Sequence, residues 1–582
     1  MIEVWAPGAR TVEIVVGAPG EPPERAPMVR DDRGWWRWEG ERPAYDVLDY
    51  AFVIDGEEPA LPDPRSAWQP HGVDGPSRTF DPSAHEWRDA GWRGPRDGAG
   101  TLGGVVYECH IGTFTAEGTF DAAVERLDHL VDLGVDVVEV LPVAAIPGRW
   151  GWGYDGVDLY AVHDALGGPA AFQRFVDACH ERGLGVCLDV VYNHLGPSGN
   201  YLGRFGPYFT QSHMTPWGPA VNLDAPGSHE VRAFVVENAL RWLRDFHVDG
   251  LRLDAVHALV DEGERHLLAE LADAVADLSA ELGRPLDLIA ESDLNDTSMV
   301  TPTAEGGFGM TAQWADDVHH GLHVALTGET QGYYEDFGGG TRTLPDGGPL
   351  DVLAHVLTRG FLHDGSWSTF RGREWGRPVD VDALDARRLV TYLQTHDQVG
   401  NRATGDRISA AIPPGRVAIG AALYLLGPGT PMVFMGEEFA ASTPWQFFTD
   451  FTDEGMAEAV RAGRRAEFAA HGWSESEVPD PQSRATRDAS VLRWDELSSE
   501  PHASLLRWYR DLIALRRSVI GTSETRFADV ICVVEDGGDT FVMTHRGIEV
   551  RADLAHDTVT VTTTGVESGT AADCIPTSLT YP

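Results

Sequence analysis

The 582-residue chain predicts an α/β fold, a (β/α)8 TIM barrel with an N-terminal β-sandwich and a small C-terminal β-domain. Three observations carry that prediction. The long middle of the chain alternates strand-length apolar runs with helical periodicity, whereas both ends break into short β-rich runs punctuated by Gly and Pro. The residues just past several central runs are carboxylates and histidines, the groups that a barrel gathers at one rim.

Residues 1–97 contain Thr11–Val16 and Tyr50–Ile54 among Gly/Pro turns, the spacing of a small sandwich. The Gly-rich, polar stretch Asp89–Gly104 marks the boundary to a catalytic barrel over residues 98–521. Its eight runs are Val105–Cys109, Val135–Pro142, Leu184–Val191, Val248–Leu253, Leu286–Ala290, a weaker one at Met310–Trp314, Leu389–Leu393 and Pro431–Phe434. Near-continuous apolar runs suit parallel strands covered on both faces. Between them, Glu230–Phe246 places Val231, Phe234, Val235, Ala239, Trp242, Leu243 and Phe246 on one helical stripe, which predicts barrel packing. Two connections, 195–228 after the third run and 323–385 before the seventh, are too long for plain loops and rich in Gly, Pro and aromatics. Both read as strand-to-helix connections, so both are expected to wall the active site. From about Thr522, the runs Val530–Val534, Thr540–Thr544 and Val559–Thr564 predict the C-terminal β-domain, residues 522–582.

With 45 basic and 90 acidic residues the formal net charge is −45, a field that repels phosphate backbones and anionic lipid. No nucleic-acid or membrane partner is expected, and the substrate should be neutral or cationic. All the basic residues are Arg, which excludes Schiff-base chemistry, PLP attachment and a P-loop lysine. Cys109, Cys179, Cys187, Cys532 and Cys574 show no CxxC spacing, so neither a disulfide framework nor a zinc cluster is expected. The start of the chain lacks a signal-peptide pattern and no run has membrane-spanning length, which makes a reducing cytoplasm the simplest location.

The third run ends Asp189-Val190-Val191-Tyr192-Asn193-His194, and the fourth reads Gly250-Leu251-Arg252-Leu253-Asp254, with Arg252 and Asp254 on one strand face. The fifth ends Ala290-Glu291-Ser292, the seventh Gln394-Thr395-His396-Asp397. Each residue alone is weak evidence, but four strand ends delivering this set to one rim form a signal. Paired carboxylates without metal spacing or a nucleophile triad suit glycoside hydrolysis, one protonated to release the leaving oxygen and one attacking the anomeric carbon. Arg252 should favour ionised Asp254, and the apolar approach to Glu291 should keep it protonated.

The segments DVVYNH, GLRLDAVHA, AESD and QTHDQ, in that order on those strands, resemble the four conserved regions of the α-amylase family. The likeness spans residues 105 to 440, and VWAPGARTVEIVV at 4–16 is consistent with that family's front sandwich. The resemblance implies a retaining double displacement with Asp254 as nucleophile, Glu291 as general acid/base and Asp397 distorting the sugar. It also implies that Arg252 positions the nucleophile, that His194 and His396 bond the same sugar, that Tyr154 of GWGYDG stacks beneath it, and that Asp189 and Asn193 support.

Longer stretches, GRWGWGYDGVDLYA (148–161), TPWGPAVNLD (215–224), QWADDVHHGLH (313–323) and STFRGREWGRP (368–378) among them, resemble the trehalose-releasing hydrolases of that family. This likeness implies malto-oligosyltrehalose and related α-1,4-glucans as substrates, a malto-oligosyltrehalose synthase acting before it, no cofactor and no required metal, although many relatives hold calcium near the position of Asn193. Thr395 departs from the pattern, which has Asn there. Trp367 and Phe370 of the second long connection, with His257, are candidates to read the trehalose side. The alternatives are a branching or debranching enzyme of the same family, or a catalytically silent carbohydrate-binding subunit.

Overall fold

The computed structural model describes residues 2–40, 47–469, 477–521, 523–535, 537–563 and 578–581; Thr522, Thr564 and Cys574 lie outside them. Eight parallel strands close into a barrel: Val106–Cys109, Val137–Val140, Gly185–Val190, Gly250–Leu253, Asp287–Ala290, Ala312–Trp314, Leu389–Tyr392 and Thr430–Phe434. Each falls on one of the eight apolar runs. Neighbours in sequence are neighbours in the barrel, and the eighth pairs with the first through Phe434 and Glu108.

Because residues two apart on a strand share a face, the barrel interior is layered. Val106, Val137, Cys187, Ile289 and Val390 pack together as an apolar layer. Two residues further along, Glu108, Glu139 and Asp189 put buried carboxylates above it, beside Arg252 of the fourth strand. The site is therefore founded on a charged layer inside the barrel.

The amphipathic helices Gly168–Glu181, Ser228–Asp245, Leu267–Leu282 and His502–Val519 cover the outside. On Ser228–Asp245 the buried set is Val231, Phe234, Val235, Asn238, Ala239, Trp242 and Leu243, close to the expected stripe. Asn238 is the polar member, and its amide is used on Leu159 O and the Tyr192 hydroxyl.

The first long connection forms an antiparallel hairpin, Phe209–Thr215 with Gly218–Val221, before helix Ser228–Asp245. The second departs from expectation. Helix Asp316–Thr327 follows the sixth strand almost directly, so 323–385 starts inside a helix rather than on a strand-to-helix connection. It then carries helix Pro349–Arg359 and a hairpin of Ser366–Ser368 and Arg373–Trp375. A third long connection, unforeseen, separates the eighth strand from helix His502–Val519 and holds helix Glu454–Ala469.

The N-terminal strands form antiparallel sheets of three and four strands. Val12–Gly17 alternates buried and half-buried residues, as a half-covered strand must. The sheets dock on the barrel through the Trp5–Tyr208 edge contact and the Arg33–Glu230 ion pair. The C-terminal sheet has five antiparallel strands; Ile548–Asp553 and Ser578–Tyr581 escaped the sequence reading. The first of these follows His545 by a two-residue turn whose residues, Arg546 and Gly547, both have positive φ. Arg is an uncommon first residue for such a turn, so the sequence signal was weak. No helix among the described residues is long and apolar enough to cross a membrane.

Candidate active site

A cavity of about 840 Å³ opens at the C-terminal ends of the strands, where Asp254, Glu291 and Asp397 meet His194, His257, His396 and Tyr154. This is the end at which barrel loops place reacting groups.

Arg252 is the hub. Fully buried, it donates from Nη1 to Asp189 Oδ2 at 2.8 Å and to Asp254 Oδ1 at 2.9 Å, while Nη2 pairs with Glu291 Oε2 at 2.8 Å. Its guanidinium lies over the Trp314 ring, 4.3 Å from the centroid. The other oxygen of Asp254 accepts from Asn193 Nδ2 at 2.7 Å. Next to Asp254, Ala255 adopts a left-handed conformation (φ 38°), strain of the kind that active sites hold. That turn aims its N–H at Glu291 Oε2, 2.7 Å away.

These surroundings separate the two carboxyls. Burial works against an ionised Asp254, but Arg252 and the Asn193 amide outweigh it and hold its pKa below the usual range. For Glu291 burial dominates, and the charges of Asp254 and Asp397 add to it, so its pKa stands well above the ordinary value despite Arg252. The two environments therefore favour an ionised carboxylate at Asp254 and a protonated carboxyl at Glu291.

Asp397 enters from helix His396–Gly400 and remains 37% exposed. Thr395, where the family pattern has Asn, caps this helix, with its Oγ1 accepting from Asp397 N at 3.2 Å and Gln398 closing the capping box. Thr and Asn both serve as caps, so the helix start survives the change. His396 is buried against Glu108 of the first strand, whose carboxylate accepts from its backbone N–H at 2.9 Å and from Nδ1 at 2.5 Å. Its Nε2 reaches the Tyr154 hydroxyl at 2.8 Å, and that hydroxyl donates to Asp189 Oδ2 at 2.7 Å. Burial pushes Asp189 up to about 6, with Arg252 opposing.

His194 stacks on Trp217, the rings 4.4 Å apart and nearly parallel, and its Nδ1 meets Asn193 Oδ1. Trp217 sits at the turn of the Phe209–Val221 hairpin, 50% exposed and facing the cavity. His257 also lines the cavity, its Nδ1 3.6 Å from Asp293, which Arg371 also holds at 2.9 Å.

The structure thus brings together Asp254, Glu291, Asp397, Tyr154, His194, His257 and His396 on the cavity, with Arg252, Asp189 and Asn193 directly behind. It does not bring Trp367 and Phe370 there. Trp367, 36% exposed, packs under Arg342, and Phe370, 58% exposed, meets the edge of Tyr333. Their hairpin reaches the site through other residues, Arg371 and Trp375, whose Nε1 donates to Asp293 O at 2.7 Å. Sequence reasoning missed Glu108, Trp217 and Phe447. Glu108 lies within an apolar run, and the only hint of it was one charged residue at an inward position.

Both hydrogens of the Asn193 amide nitrogen go to Asp254, at its carboxylate and its backbone oxygen, while the amide oxygen meets His194 Nδ1. Among the described residues no group of three or more His, Cys, Asp or Glu side chains is arranged to hold a metal.

The α-amylase catalytic-domain family matches residues 82–207. The malto-oligosyltrehalose trehalohydrolase of Arthrobacter ramosus is 55% identical over 90% of this chain and 88% of its own length. That of Rhizobium sp. (strain M-11) is 50% identical over 95% and 90%, and the Saccharolobus solfataricus enzyme 40% over 88% and 84%. Among solved structures, a Salmonella typhimurium chain provisionally described as an alpha amylase superposes with a TM-score of 0.84 at 37% identity, covering 98% of this chain and 93% of that one. A Bacillus subtilis type I pullulanase shares the fold at TM-score 0.67 and 18% identity, over 96% and 78%. The chain belongs to the malto-oligosyltrehalose trehalohydrolase family, within the α-amylase glycoside hydrolases.

Proposed function

We propose that Asp254 attacks the anomeric carbon of the glucose preceding a terminal trehalose, while Glu291 protonates the departing oxygen. The protein is a glycoside hydrolase. It cleaves the α-1,4 bond next to the trehalose of malto-oligosyltrehalose, releasing trehalose and a shortened glucan with retained configuration. The observation that carries the catalytic assignment is the shared guanidinium: adjacent nitrogens of Arg252 hold both carboxyls, and their environments drive the two pKa values apart. Such closeness suits a retaining pair, roughly 5 Å apart, better than the wider gap that an inverting water needs. After the first step Glu291, now ionised, takes a proton from water as it attacks the glycosyl ester on Asp254.

In this reading Asp397, His194, His396 and Tyr154 grip the sugar being cut, and Asp189 and Asn193 keep Arg252 and Asp254 in place. The stacked pair Trp217 and His194 offers an apolar platform to a sugar ring, and His257 faces the leaving group. The division near residues 97 and 521 belongs to the same proposal, with the chemistry confined to the barrel. So do a cytoplasmic location, supported by the unpaired Cys109, Cys179, Cys187 and Cys532, and a malto-oligosyltrehalose synthase as the preceding step.

The test is to incubate the enzyme separately with maltotriosyltrehalose and maltopentaose, following products by chromatography and the new anomer by NMR. Free trehalose with α-maltotriose, and little attack on maltopentaose, is the expected result. Equal cleavage of both would remove the trehalose selectivity, and a β-anomer would remove the double displacement. No step uses a metal, so activity should survive exhaustive chelation.

A further inference from the structure

Beneath the reacting carboxyls runs a directed chain of hydrogen bonds. The Tyr154 hydroxyl has one proton and gives it to Asp189 Oδ2, which also accepts from Arg252. Toward His396 the hydroxyl is therefore an acceptor, so Nε2 must carry a hydrogen. On the other side of the ring, Nδ1 faces Glu108 Oε1 at 2.5 Å, and the second oxygen of Glu108 already accepts the His396 backbone N–H. With Glu108 ionised, Nδ1 carries a hydrogen as well, and the ring is an imidazolium clamped between Glu108 and the Tyr154 hydroxyl, with Asp397 Oδ1 3.5 Å from Nε2.

We propose that Glu108 is a positioning residue for the hydrolysis: its carboxylate holds His396 doubly protonated, and that fixed cation orients the Tyr154 hydroxyl and the Asp397 carboxylate under the sugar. The inference rests on the catalytic reading above and adds a residue that touches no substrate. Glu108 is about 1% exposed and lies behind His396 rather than on the cavity wall, too deep for direct contact with a sugar.

The electrostatics agree. Burial opposes a charged imidazole, yet Asp397 and Glu108 beside it raise His396 to about 9, against the opposition of Arg252. The other titratable groups facing it are Glu139 on the second strand, Asp189 on the third, His110 after the first, and Tyr154. Burial, with Glu108 adding, pushes Glu139 up to about 8, which favours its protonated form. His110 is driven down to about 3 by burial and is neutral. Of the three carboxyls in the inner layer, Glu108, Glu139 and Asp189, the one bonded to His396 is its counter-ion. An imidazole oriented by a buried carboxylate is a recurrent way to fix its protonation.

The experiment compares Glu108→Gln, Glu108→Asp and Glu139→Gln with the wild type and Asp254→Asn, all on maltotriosyltrehalose. Glu108→Gln keeps shape and one acceptor but loses the charge. It should lower kcat about a hundredfold with KM little changed. The 15N signals of His396, assigned by their loss in His396→Gln, should titrate at least about one unit lower than in the wild type. Glu108→Asp keeps the charge on a shorter arm, so it should hold His396 protonated and retain more activity than the Gln variant. Glu139→Gln changes an inner-layer carboxyl that does not bond His396, so it should cost far less kcat than Glu108→Gln and leave the His396 titration in place. Circular dichroism and melting curves confirm folding of each variant. If Glu108→Gln is as active as wild type, or if Gln outperforms Asp while His396 titrates normally, the role is packing and the proposal falls. If Asp254→Asn stays active, the catalytic reading itself fails, a separate outcome.

Discussion

Both ends of the barrel hold a buried histidine between carboxylates. At the upper end His396 lies between Glu108 and Asp397; at the lower end His180 donates to Asp89 Oδ2 at 2.9 Å and to Asp249 Oδ2 at 3.1 Å. The lower cluster is closed. Asp249, just before the fourth strand, also accepts from Trp92 Nε1, Arg284 Nη1 and Val186 N, and Asp89 is shared with His247. Trp92 stacks on His180 and Trp87 on His247. Every charge there has a protein partner, and the cluster ties the 82–95 segment to the strands. The upper cluster leaves Asp397 and Glu291 part-exposed to a cavity, with a strained residue, Ala255, beside Asp254. The same residue types therefore do opposite work, stability below and reactivity above, according to whether the last partner is protein or ligand.

The comparison breaks first if upper-end substitutions cost stability rather than activity. Asp254→Asn should lower kcat by about five orders of magnitude, since it removes the covalent step, with melting unchanged or slightly improved. Glu291→Gln should cost about a thousandfold and erase the alkaline limb of the pH–rate profile. The signs follow from the two shifts. Glu291 must be protonated, so activity is lost as pH rises through its raised pKa; Asp254 must be ionised, so activity is lost as pH falls through its lowered one. Rate measurements from pH 3 to 10 on the wild type and Glu291→Gln read both limbs, and an unchanged alkaline limb would take the acid role from Glu291.

The lower end predicts the reverse. His180→Gln should destabilise by about 3 kcal/mol, because it leaves Asp89 and Asp249 short of a buried partner, while kcat per folded molecule stays within about twofold. Burial disfavours charged His180, but Asp249 and Asp89 raise its pKa; burial disfavours charged Asp89, but His180 and His247 hold its pKa well down. The His180 contribution is full below its ordinary value, about 6.5, and is lost as pH climbs through the raised folded value. The Asp89 contribution is full above about 3.9 and is lost as pH falls through the depressed one. Urea midpoints against pH should show a plateau between those limits, and His180→Gln should lack the alkaline fall. A variant that lost activity at unchanged midpoint would place His180 in the reaction.

The two ends also differ in how far the sequence exposes them. Upper-end residues follow apolar runs directly, as Asp254 follows Leu253 and Glu291 follows Ala290, so the strand pattern alone gathers them. The lower cluster is assembled from Asp89 in a linker, His180 at a helix end and Asp249 before a strand; no local spacing relates them, and only barrel closure brings them together. Glu108 was hidden differently, inside a run whose neighbours are Val106, Tyr107 and Cys109, where one charge reads as an exception. Trp217 depends on a hairpin register that Gly and Pro leave open, whereas Trp367 and Phe370 were placed by composition, which cannot say which face of a hairpin meets the cavity.

The smallest expected effect separates burial from mere pairing at the lower end. Arg182, two residues from His180, donates from Nε to Asp128 at 2.7 Å, but the side chains are 31% and 82% exposed. Asp128→Ala should cost less than about 1 kcal/mol, since water screens an exposed pair and resolvates the remaining partner. The distance is as short as those at His180, so contact length is held constant while burial changes. A midpoint shift equal to that of His180→Gln would mean that removing any ion pair near this helix end loosens it, and the closed cluster would lose its special place. A shift several times smaller, vanishing in 1 M salt, would leave burial as the property that makes the lower end a foundation.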